Sequence, residues 1–231
     1  MRFRRKFVAL MLWTVALLPS AATAASKVHV VSFGRWTSVQ WFPGTGAEGD
    51  KPLTIKVRAL LVDGQVKEYA LGSAHEVTER LFVVRRAFHV NDSLPDEPSP
   101  RWQWQRGGWL LVDRVSGRVS AIALPEFDAF SSAVSWYRDY AAYCGVSDDG
   151  KKIFAIVAQL SRRKPVLKKA LSEQGIADNA SPDSACAAPS WQRGPMRVSF
   201  AVTDGAKQTF AIRGHVVDVV SDSSEEEEGS K

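Results

Sequence analysis

The sequence predicts a mainly β protein. Antiparallel hairpins form a sandwich, a partly open barrel or propeller-like sheets, with one or two short helices. Three observations carry this expectation. Four glycine-containing turns each stand between apolar runs: Asp63-Gly64, Asp113 to Arg118, Asp148-Asp149-Gly150 and Asp204-Gly205. Glycine tolerates the positive φ that tight hairpins demand, so this arrangement is a strong short-range β signal. Residues Leu53, Ile55, Val57 and Ala59 alternate with Thr54, Lys56 and Arg58, the period of a half-buried strand. Nothing in the order of elements suggests βαβ units.

Taken in order, Lys27 to Val31 reads as a first strand, and Phe33 to Phe42 as an aromatic, partly extended segment. The eight residues from Pro43 to Asp50 hold three glycines and a proline, so they form a loop. Leu53 to Val62 and Gln65 to Leu71 make the first hairpin, and Leu81 to Val90 is a strongly apolar strand. Asn91 to Pro100, with three prolines, is a surface loop inserted in the domain. The other turns join Trp109–Val112 to Val119–Leu124, Tyr140–Val146 to Lys151–Leu160, and Met196–Val202 to Gln208–Ile212. His215 to Val220 is the last strand. Two segments suggest helix. From Pro125 to Gly145, Phe127, Phe130, Val134, Tyr137, Ala141 and Cys144 fall three or four apart, with a helix over Glu126–Ser135 and a strand from about Tyr137. Val166 to Gln174 reads as a short helix after Pro165, with a strand over Val166–Lys169 as the alternative. The turn spacing is too irregular to show a repeat.

Residues 1–25 are expected to be a signal peptide. Arg2, Arg4, Arg5 and Lys6 precede a 12-residue apolar run, and Ala22-Thr23-Ala24 supplies small residues for cleavage. A membrane span needs about 20 apolar residues, so no transmembrane segment is expected after cleavage. Residues 26–220 then form a single mainly β domain with the loop insertion near 91–100, and residues 221–231 a disordered acidic tail. The expected location is periplasmic or secreted. Four of the 30 basic residues lie in the leader, leaving 26 against 25 acidic ones. A balance so close to neutral excludes nucleic acid as the expected partner. In an oxidising compartment Cys144 and Cys186 are expected to join in a disulfide.

Motifs for chemistry are scarce. His75-Glu76 with Glu79 lacks the second histidine of H-E-x-x-H, and reads as a polar link between strands. Asp148-Asp149-Gly150 is followed at once by Lys151 and Lys152, so a turn accounts for it better than a calcium loop. Glycine-rich phosphate loops and the G-x-S-x-G elbow do not occur. No cofactor or metal is called for, and any catalytic residue is unknown. The surplus is aromatic: seven tryptophans follow the leader. Trp102 and Trp104, at i and i+2, share one strand face, with Arg101 and Arg106 beside them, and these four are the candidate binding residues. Arg162-Arg163-Lys164 with Lys168-Lys169 is the densest basic patch. The expectation is an exported non-catalytic binding domain at the cell envelope with a protein or glycan partner. The alternatives are a structural or assembly subunit and an extracytoplasmic hydrolase.

Overall fold

A computed structural model describes residues 28–42, 52–95, 99–172, 186–201, 207–213 and 216–220. The expected signal peptide, the 43–50 loop, the Asp204-Gly205 turn and the acidic tail lie outside the described residues. Within them the protein is all β, in fifteen strands and three sheets.

The first sheet holds β1 (Val31–Phe33), β2 (Thr37–Trp41), β3 (Leu53–Val62), β4 (Gln65–Glu76), β5 (Leu81–Asn91), β6 (Trp102–Asp113) and β7 (Val119–Ile122). Strands β3 to β6 form an antiparallel meander. Strand β2 closes it, pairing antiparallel with β3 and parallel with β6 at the single position Trp41–Trp104. The result is a partly closed barrel, with β1 beside the far half of β3 and β7 beside the far half of β6. The Asp63-Gly64 turn has φ of 53° and 77°, the left-handed pair that a two-residue hairpin requires. Gly117, in the next turn, has φ 64°, and a Cβ there would lie 2.8 Å from Val62 and 2.9 Å from His29. Only glycine fits such a turn against β1 and β3.

Opposed residues on paired strands point to one side, so the register assigns the two faces. Val57, Leu71 and Ala87, with Ile55, Tyr69 and Trp104, fill one face. Leu60, Ala70, Phe82, Val84, Leu110 and Val112 fill the other, under β1 and β7. Between them lies a bulge: Ala87 faces Arg106 and Arg85 faces Trp109, so Gly107 and Gly108 together oppose Arg86. It brings Arg106 and Trp109 onto the same face.

The second sheet runs β11 (Leu167–Ser172), β10 (Ile153–Gln159), β9 (Tyr140–Val146), β8 (Ser135–Tyr137). The third runs β12 (Ser190–Arg193), β13 (Met196–Phe200), β14 (Gln208–Arg213), β15 (Val216–Val220). They share a core of Ala142, Ile153, Ala155, Val157, Val198, Phe200, Phe210 and Ile212. Cys144 and Cys186 stand in it at disulfide distance, with Cα atoms 6.3 Å apart. The second sheet's other face buries Tyr143 and Ile156 under Phe127, Val134 and Trp136. The sandwich-like pair thus stands beside the partly closed sheet, and Trp136 meets Trp109 of β6 at 5.3 Å.

The expected short helices do not form among the described residues. Glu126 takes φ 52°, which stops a helix immediately after Pro125. Asp128 then folds a local turn, its carboxylate accepting from the N–H groups of Phe130 and Ser131 and from the Ser131 hydroxyl. Leu167–Ser172 is strand β11, zipped onto β10 from Ile153 to Val157. Residues 173 and 174, the end of the expected second helix, lie outside the described residues.

Candidate functional site

The four candidate residues lie on or just before β6, where it leaves the 92–101 connection. That connection is clamped at its root. The Asn91 carboxamide oxygen accepts from the N–H groups of Ser93 and Arg101 and from the Ser93 hydroxyl. Asp92 N–H donates to the Arg101 carbonyl at 2.8 Å, and the Gln103 amide donates to the Asp92 carboxylate. Arg101 turns back on this root: its guanidinium donates to the Asp92 carbonyl and stands 3.6 Å from its carboxylate. Arg101 therefore braces the hairpin.

Trp102 and Trp104 share a face but not an environment. Trp102 is 61% exposed. Its ring meets only the edge of His89, at 6.3 Å, among the described aromatic contacts. Trp104 is half-buried against Val57, Leu71 and Ala87. Its ring stands edge-on to Tyr69 at 5.1 Å and 3.6 Å from His89. Tyr69, Trp104, His89 and Trp102 therefore form a row of rings from the barrel core to the surface. A face of this kind can stack on a sugar or receive an apolar side chain.

Arg106 lies farther along the same face, its guanidinium 3.8 Å from the centre of the Trp41 ring. Trp41 is 1% exposed and stacks on Phe130. Beyond Arg106 an open cleft of about 620 Å³ is lined by Trp36, Lys56, Leu71, Arg85, Trp109 and Val134, among others. Arg85 is anchored there by the carbonyls of Gly107 and Ala129. The structure thus separates the two arginines: Arg101 belongs to the hairpin root, Arg106 to the cleft.

The three described histidines have structural contacts. His29 bonds the Asp63 carboxylate at 2.8 Å, His75 bonds the Arg138 carbonyl at 2.8 Å and stacks on Trp136, and His89 packs on Trp104. Glu76 pairs with Arg114, which holds its carboxyl below the usual range. Asp113, bonded by Arg80, is held well below it. Among the described residues no three metal-ligating side chains gather. No helix among them is long and apolar enough to cross a membrane. The basic patch divides. Lys168 pairs with Glu126, Lys169 lies over Phe210, and Arg162, Arg163 and Lys164 stay on the exposed turn after β10.

Sequence reasoning did not single out Trp36, Lys56 or Arg85. Arg85 had a usable signal, a charge inside the apolar Leu81–Val90 run. Such a charge must find carbonyl or carboxylate partners when the strand is covered. Comparisons with protein-family models, curated proteins and solved structures find no match to this chain.

Proposed function

We propose that the protein is an exported, non-catalytic binding domain of the cell envelope that holds a protein or glycan partner against the face led by Trp102. The observation that carries this reading is the exposed indole of Trp102 on a strand braced by its neighbours. A tryptophan that covers no core contributes little to stability, and an aromatic face held in place binds without an ordering cost. The structural contacts of the three described histidines, and the paired cysteines, favour binding over catalysis. The leader-like N-terminus supports export.

Two measurements test the reading. Intact-mass analysis of protein recovered outside the cytoplasm should show a chain starting at Ala25 or Ser26; a chain starting at Met1 contradicts export. Immobilised protein should capture a component of envelope extract that Trp102→Ala fails to retain. Equal capture by the variant refutes the role of this face.

A further inference from the structure

A second surface lies about 30 Å along β6 from Trp102, taking nine residues of strand rise. It is a groove of about 500 Å³ between β7, with the following Ala123 and Leu124, and the end of β10 with its turn, Gln159 to Arg163. We infer that this groove docks an extended segment of a partner protein in which apolar side chains alternate with carboxylates.

The backbone makes the first part of the case. Strand β7 pairs with β6 through Val119 to Ile122. Its other edge has no strand partner among the described residues. An unpaired edge presents a row of N–H and C=O groups, and an extended peptide completes it by strand addition. Four residues offer about 13 Å of edge.

The lining makes the second part. Ser120 and Ile122 oppose Leu111 and Trp109, so they share the face that looks toward Trp136. Ala141 and Ala158 complete that side of the groove with Trp136. An added strand beside β7 would turn every second side chain toward that side, whose alanines are already buried. Those side chains should be apolar. Two polar atoms of lining residues are buried without a partner among the described residues, Trp136 Nε1 and Gln159 Oε1. One is a donor and one an acceptor, and buried groups of this kind normally find a partner.

Charge makes the third part. Arg162 and Arg163 line the mouth, Lys164 adjoins them, all three are exposed, and the lining contains no acidic residue. No ion pair involves these three among the described residues. Carboxylates on the partner complement them. The chain's own tail, with Asp222 and Glu225 to Glu228, has the charge but no apolar side chain. A second copy docking by β7 would present the same groove lining, which holds Arg162 and Arg163 and no carboxylate to meet them. An alternating acidic and apolar segment of another protein meets all three demands.

The probe is a capped six-residue peptide alternating valine and glutamate, titrated against the purified full chain by calorimetry. Saturable binding is expected. The double variant Arg162→Glu, Arg163→Glu should weaken it at least tenfold with an unchanged thermal midpoint, since both residues are exposed. Methylating alternate backbone amides of the peptide should abolish binding, because it removes strand pairing. The absence of saturable binding up to millimolar peptide overturns the inference. So does unchanged affinity in the double variant, or equal binding by the methylated peptide. If a peptide of residues 221–231 binds as tightly, charge alone is recognised and the assignment to an apolar–acidic partner falls. None of these results depends on the Trp102 face.

Discussion

Replacing Trp102 and Trp104 by alanine, one at a time, should give opposite kinds of loss. Truncating a large buried aromatic side chain costs about 3–5 kcal/mol through lost transfer energy and the cavity left behind. Trp104 fills the barrel end between Val57, Leu71 and Ala87 and packs on Tyr69 and His89. It also sits at the one position where β2 closes onto β6. Its indole keeps some solvent contact, so Trp104→Ala should cost about 3 kcal/mol, the low end of that range. Trp102 is 61% exposed and touches His89 only at the edge. Trp102→Ala should therefore cost less than about 1 kcal/mol, the size of a single aromatic contact. Urea unfolding followed by circular dichroism measures both, provided the slope with denaturant is unchanged between variants. A loss above about 3 kcal/mol for Trp102→Ala would make it a core residue and remove the basis for a displayed face. A loss below about 1 kcal/mol for Trp104→Ala would refute its place in the barrel core.

Other residues give sharp expectations. Tyr143 is fully buried, its hydroxyl donates to the Pro125 carbonyl at 2.6 Å, and burial pushes its pKa well up. Tyr143→Phe should cost about 1 kcal/mol at neutral pH. Because the folded pKa is raised, the parent should lose stability as pH rises above about 10, and the variant should lose less. Asp113 and Glu76 are shifted the other way, by Arg80 and Arg114. Their contribution is present above the unfolded carboxylate pKa, about 4, and is lost as pH falls through the folded values. Urea midpoints measured from pH 7 down to pH 2 should therefore fall less steeply for Arg80→Gln than for the parent. A Cβ at Gly145 would lie 2.4 Å from the Ile156 Cδ1 and 3.0 Å from the Glu126 carbonyl oxygen. Gly145→Ala should then destabilise by about 1–3 kcal/mol in the same unfolding assay. Non-reducing peptide mapping should recover Cys144 linked to Cys186; two free thiols per chain would contradict it.

What the sequence made legible was local. Asp63-Gly64 and the turns at Gly117 and Gly150 encode their own positive φ, so three hairpins could be placed from a few residues each. The Pro125–Gly145 segment misleads because its aromatics have helical spacing and yet separate destinations. Phe127 packs on Tyr143 while Phe130 stacks on Trp41. Helical spacing predicts one stripe, and these rings do not form one. Leu167–Ser172 is a strand because β10 offers it an edge, and no short segment encodes its neighbour. The shared face of Trp102 and Trp104 followed from strand alternation. Their different burial did not, since it depends on β2 returning to close the barrel at Trp104. Arg85 and Lys56 reach one cleft from different strands for the same reason.

The proposed role of Trp102 is to hold a partner. The decisive measurement is the Kd of the captured envelope component for the parent protein and for Trp102→Ala, under one buffer and salt condition. An anchoring indole predicts a loss of about 2 kcal/mol, roughly a thirtyfold rise in Kd, with unfolding stability nearly unchanged. An equal Kd for the two proteins would contradict the account.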